Sequence, residues 1–169
     1  MEPLYSETYL HANAPAKRKI IRGLLIVLMA FLLFIGLFSM LFLRTVIPFG
    51  VIILVDVIIY FVMPTTQIAY EYIFVDGQID FDRILKGEKR KTMKRIDMSK
   101  VEVIAPENSH HLDAYQRLPE FDYTSGVASD KHYVAVAIGE KGTEKIYFTP
   151  DAKMLDMIGK KSPSKLKTE

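Results

Sequence analysis

GLLIVLMAFLLFIGLFSMLFL (residues 23–43) and VIPFGVIILVDVIIYFVM (residues 46–63) lie almost back to back, with only Arg44 and Thr45 between them. At about 1.5 Å per residue, some 20 apolar residues in a helix cross a bilayer core. The pair reads as a transmembrane helical hairpin over residues 20–64. The first stretch holds fifteen Leu, Ile, Val or Phe residues and no charge, worth about 5–9 kcal/mol in favour of insertion. The second holds thirteen and one acid, Asp56. That acid costs about 2.5–3.5 kcal/mol at a helix centre and leaves the balance favourable. Soluble helices rarely run this long without a polar face. A second apolar run directly behind the first also speaks against a cleaved signal peptide.

Orientation follows from the basic residues. Lys17, Arg18, Lys19 and Arg22 crowd the start of the first run, while the tip carries only Arg44. Positive residues favour the cytoplasmic side, so both termini are expected in the cytoplasm of a two-span protein of the cell membrane. Pro48 suits the first turn of the second helix. Residues 1–19 read as a short polar leader, mostly irregular.

Beyond the hairpin, residues 65–160 form a domain large enough for its own core, followed by a basic, disordered tail over 161–169. The domain reads as mostly β. QIAYEYIFV (67–75) is rich in β-branched and aromatic residues. Asp76-Gly77 signals a two-residue hairpin turn, and residues 78–85 alternate, with Ile79 and Phe81 against Asp80 and Asp82. Lys86-Gly87 is a second turn. Residues 88–98 offer a third strand with a thin apolar face, and 100–104, 131–138 and 145–149 offer three more, the last two joined by GEKG (139–142). Residues 107–130 read as a long loop with one edge strand near 121–124. The period then changes. Thr149-Pro150-Asp151 supplies an N-cap, a first-turn proline and an acid. Met154, Leu155 and Ile158 form the apolar face of a helix that Gly159 ends.

This order resembles the pleckstrin-homology-like (PH-like) barrel, an antiparallel meander whose open end is closed by a C-terminal helix. The whole chain is similar to a family of small bacterial membrane proteins in which a transmembrane hairpin precedes a PH-like domain. Tyr5-Ser6-Glu7, the hairpin, Tyr70-Glu71-Tyr72 with Asp76-Gly77, Ile104-Ala105-Pro106 and Phe148-Thr149-Pro150-Asp151 carry the resemblance. It implies a closed barrel and a membrane tether, and it brings no catalytic residues.

Four local features bear on chemistry. Residues 86–100 hold seven cations against Glu88 and Asp97, within a segment (64–169) whose charges sum to zero. Lys89, Arg90, Lys91, Lys94 and Arg95 are the expected contacts to anionic lipid headgroups, each worth about 1 kcal/mol near the surface. The competing reading is a solvated edge strand protected by its charges. Nucleic acid is not expected, because no aromatics interleave with these cations for stacking. Second, Asp56 belongs in the hairpin seam near Gly36, with Ser39 or Tyr60 as hydrogen-bond partner. Third, His110-His111 with Glu107, Asp113 and His132 make a poor metal site, since adjacent side chains on an extended segment point apart. Fourth, Tyr70 and Tyr72 share a strand face and belong in the core, while Tyr60 suits the interfacial aromatic belt.

There is no cysteine, no glycine-rich phosphate loop and no nucleophile–base arrangement. The expectation is a non-enzymatic, membrane-tethered binding or scaffolding module without cofactor. Its expected partners are the bilayer and either anionic headgroups or another membrane protein. The alternative is a small accessory subunit of a membrane complex that acts through its hairpin and Asp56.

Overall fold

The computed structural model describes residues 4–42, 44–87, 89–140 and 142–168. The chain divides into two compact units, Ala14–Thr66 and a second unit made of Met1–Asn13 with Gln67–Glu169.

In the second unit, part of the leader expected to be irregular is a strand. β1 (Tyr5–Ala12) pairs antiparallel with β2 (Ile68–Val75) along its whole length, from Tyr5 opposite Val75 to Ala12 opposite Ile68. Successive side chains alternate between the faces of a strand. Here Ser6 and Thr8 turn inward and are buried, while Tyr5, Glu7 and Tyr9 are exposed. The apolar helical segment is thus an insertion between two directly paired strands.

The Asp76-Gly77 turn forms as the sequence indicates, with φ positive at both residues. It joins β2 to β3 (Gln78–Leu85), which pairs in turn with β4 (Lys89–Asp97) to complete a sheet of order β1-β2-β3-β4. The register of β3 with β4 shifts between Phe81 and Asp82. A second sheet contains β5 (Val101–Pro106), β6 (Glu120–Asp122), β7 (Tyr133–Gly139) and β8 (Gly142–Phe148), in the order β5-β7-β8-β6. The edge strand expected near 121–124 is β6. It lies parallel to β8, and the expected loop around it also contains a 3-10 helix at His110–Tyr115.

The sheets do not close into the expected barrel. β4 and β5 are consecutive, yet the 3-10 helix Met98–Lys100 divides them, and they lie in different sheets. The reason is chemical: β4 is KRKTMKRID, and an edge strand bearing this many charges resists pairing with a further strand.

α3 (Ala152–Lys161) packs against β1 and β2. Asp151 caps it, accepting a hydrogen bond from the Met154 N–H at 2.7 Å. Thr149, the expected cap, instead accepts from the Ser125 N–H and contacts His132. Gly159 lies inside the helix, which runs two residues further. The expected disordered tail is docked as far as Lys167: Ile104 N–H donates to Lys165 O, Lys167 N–H donates to Ile104 O, and Leu166 packs near Gly159.

The main core joins Tyr72, Phe74, Ile79 and Phe81 from the first sheet with Ile146, Phe148, Met154 and Ile158, all fully buried. Val134 and Val136 are also buried, but on the other face of the second sheet with Leu112 and Val103. Ile138, on the same strand, is 52% exposed. It continues the Val134–Val136 face beyond the reach of that cluster.

In the first unit, α1 (Ala16–Phe42) and α2 (Ile47–Val62) pack against each other. α1 is about 40 Å long and is the one described helix long and apolar enough to cross a membrane. Only 11% of its most apolar window is buried, unlike the core helix of a soluble protein. The expected second span forms a shorter apolar helix of 16 residues. At about 24 Å it falls short of a hydrocarbon core of about 30 Å. The residues turned away from solvent recur at alternating spacings of three and four, namely Leu25, Met29, Leu32, Gly36 and Ser39 on α1, and Phe49, Ile52, Asp56 and Ile59 on α2. This is the spacing of a coiled-coil seam.

Candidate functional site

Asp56 lies in that seam, 6% exposed. Gly36, its expected neighbour, meets Phe49 and Ile52 instead; a Cβ there would stand 2.8 Å from the Phe49 ring. Those residues lie one to two turns earlier on α2, so in an antiparallel hairpin Asp56 falls opposite the stretch between Met29 and Leu32. Neither expected partner serves it. The Ser39 hydroxyl donates to Gly36 O at 2.8 Å in its own helix, and Tyr60 is 65% exposed with its ring edge-on to Phe61. Both carboxyl oxygens are buried without a hydrogen-bond partner. An isolated polar group of this kind is costly, so Asp56→Leu is expected to strengthen the hairpin and Asp56→Asn to leave it intact. Unfolding of the full chain in micelles by increasing denaturing detergent checks both.

Ion pairing divides the cations of the basic strand. Arg90 pairs with Glu71 and with Asp82 (3.5 Å), two acids that stand directly opposite each other on β2 and β3 and are almost fully buried. Lys94 reaches the second sheet, pairing with buried Glu144 and standing 4.8 Å from the Phe121 ring centroid. Gly139 makes room for this pair, because a Cβ there would overlap the Glu144 carboxylate. Arg95 forks onto Asp80 through two hydrogen bonds of 2.8 and 2.6 Å. Burial alone would raise the Asp80 carboxyl, but hydrogen bonds from Arg95 and Gln78 outweigh it and hold the group below its usual value. The stabilisation from this group is therefore present above about pH 4 and fades as pH falls further. Of the five cations expected at lipid, only Lys89 and Lys91 lack an acidic partner among the described residues. A one-dimensional charge count could not separate them from the other three, whose partners come from β2, β3 and β8.

A cleft of about 590 Å³ opens between β4 and the β7–β8 turn. Among the described residues its walls carry Lys94, Arg95 and Lys100 against Asp97, Glu140 and Glu144, so these charges balance and give no pull on an anion. His110 contacts Asp113 at 3.3 Å, and both are exposed. His132 lies within hydrogen-bond distance of Thr149 Oγ1 and Val127 O. Among the described residues no group of three or more His, Asp or Glu side chains is placed to hold a metal ion.

One core group that the sequence placed only by its face has a further task. The Tyr72 hydroxyl donates to Tyr123 O and accepts from the Thr149 N–H, tying β2 to the residues that follow β6 and β8 of the second sheet. Burial pushes its phenol far up, so it stays neutral and able to donate. Tyr72→Phe should cost about 1–3 kcal/mol, because two buried backbone groups lose their partner; a denaturant melt measures this.

A family model described as a bacterial PH-like domain matches residues 2–168. No characterised protein and no solved structure matches the chain.

Proposed function

Because this chain belongs to the bacterial PH-like domain family, we propose that it is a membrane-anchored, non-enzymatic module that displays its β domain for binding or scaffolding. The observation that carries this reading is the placement of the apolar insertion. It leaves after β1 and returns before β2, whose ends are paired as Ala12 with Ile68. A domain built across its own insertion can be held at a bilayer without giving up any part of its fold.

In this reading both α1 and α2 cross the cell membrane, and both termini are cytoplasmic. The apolar run around α2 extends over residues 46–63, and a bilayer thins locally to accommodate a short helix at modest cost. The basic residues at 17–22, against Arg44 alone at the tip, set the orientation. A cysteine placed at Thr45 is expected to react with a membrane-impermeant thiol reagent added outside intact cells, while a cysteine at Ser164 is not. Labelling of Ser164→Cys from outside would reverse the orientation.

The second reading, an accessory subunit acting through its hairpin, draws on Asp56, whose buried carboxyl has no partner in the described residues. Replacing residues 16–62 with an unrelated hairpin separates the two. A display module keeps its function, and an embedded subunit loses it. In either reading no cofactor or nucleic acid is involved.

A further inference from the structure

The charges of β3 and β4 separate by face. On one face Arg90 neutralises Glu71 and Asp82. On the other, Arg83 stands directly opposite Lys91, and Lys89, two residues before Lys91, shares that face opposite Leu85. Like charges placed opposite each other destabilise a sheet. Nothing relieves this pair internally: among the described residues Arg83, Lys86, Lys89 and Lys91 have no carboxylate partner. The Arg83 Nε is also buried without a hydrogen bond. Glu88, which follows Gly87 in the sequence, lies outside the described residues and is one acid against four cations.

The position of this cluster is fixed by the chain. The Lys86 N–H donates to Gln67 O at 3.3 Å, and Gln67 opens the domain segment that follows the insertion. Ile68 is paired on one side with Ala12, the last residue of β1, and on the other with Leu85, beside the Lys86 turn. The unpaired cations therefore occupy the end of the sheet to which the apolar insertion is covalently attached. Strands stand about 4.8 Å apart, so the turn lies within about 15 Å of both attachment points.

We propose that Arg83, Lys86, Lys89 and Lys91 form a docking surface for the anionic headgroups of the bilayer in which the hairpin sits, fixing which end of the domain faces the membrane. The proposal rests on the membrane-anchored reading and adds to it the residues and the lipid chemistry. Arg83 supplies a planar fork suited to a phosphate, and the three lysines supply mobile point charges. Arg90, Lys94 and Arg95 take no part, since each is committed to an acid within the domain.

The test uses the unaltered full chain in nanodiscs of phosphatidylcholine alone and of phosphatidylcholine mixed with phosphatidylglycerol. A water-soluble amine-acylating reagent is added, and labelling at each lysine is read by mass spectrometry relative to exposed Lys153 on α3. The expected result is about a fivefold fall in labelling at Lys86, Lys89 and Lys91 in the anionic discs, which is about 1 kcal/mol per lysine converted to a ratio. It should be lost near 1 M salt, where the Debye length is about 3 Å. Equal labelling in the two bilayers overturns the proposal. Protection that is the same in both and insensitive to salt also overturns it, because it would be steric. A chain that does not remain with the discs overturns the anchored reading itself, and the two failures are told apart by the disc-bound fraction.

Discussion

Phe148→Ala is expected to lower the stability of the β domain by about 3–5 kcal/mol. Phe148 is fully buried, with its ring edge-on to Tyr72 at 5.8 Å and to Phe81 at 5.5 Å between centroids. It joins the aromatic layer of the first sheet to the second sheet, and the Met154–Ile158 face of α3 closes the same cluster. A cavity there has little room to collapse, because its neighbours are rings held from separate elements. Small domains have about 5–15 kcal/mol in total, so the variant should stand close to unfolding. In a denaturant titration the midpoint should fall with the slope unchanged. Phe148→Leu, which keeps most of the volume, should cost markedly less. A loss below about 1 kcal/mol for alanine would mean that the site repacks freely, contrary to the core described above.

Arg90→Ala is the second large effect, and it runs against the surface position of the residue. The side chain of Arg90 is 51% exposed, yet it is the counter-charge of Glu71 and Asp82, which are 6% and 7% exposed. Removing it leaves two buried carboxylates opposite each other. Breaking a buried pair from one side costs about 3–5 kcal/mol; with one partner half in water, the lower end of that range is expected. Arg90→Ala combined with Glu71→Gln should recover much of the loss, since the like-charge pair is then gone. Were Arg90 instead a lipid contact, the single change would leave the domain's stability in water untouched, and Glu71→Gln would rescue nothing.

Much of the fold is readable in the sequence because local chemistry dictates it. Asp76-Gly77 can adopt positive φ at both positions, the first half of β3 alternates from Gln78 to Asp82, and Met154 and Ile158 recur at helical spacing. β1 escapes notice for a physical reason. Its two buried residues are Ser6 and Thr8, with Leu10 only partly buried on the same face, so over most of the strand the alternation separates small hydroxyls from larger polar side chains rather than apolar from polar. Its partner strand also lies beyond the whole apolar insertion, a distance no local pattern spans. Closure into a barrel is likewise a tertiary matter, decided by whether a charged β4 finds a further strand.

The site is less legible than the fold. The basic run of 86–100 stands out by composition, but its division depends on register. Glu71 and Asp82 meet Arg90 only because β2 and β3 are paired residue for residue, and Glu144 meets Lys94 from another sheet. Lys86, absent from the five expected lipid contacts, gains its importance from a backbone bond to Gln67. Asp56 is buried between the helices but does not meet Gly36, because α2 starts at Ile47 and packs Phe49 and Ile52 there; a residue count from the tip does not give that offset.

In the proposed reading a β domain complete in itself is held at the membrane by an insertion between two of its paired strands. Fractionating cells that express either the full chain or a version with residues 14–66 replaced by a short glycine–asparagine turn tests this most directly. The full chain should stay in the membrane pellet through an alkaline wash. The shortened chain should move entirely to the soluble fraction and unfold in one cooperative step. A full chain released by the wash, or a shortened chain that is insoluble or melts without cooperativity, would contradict it.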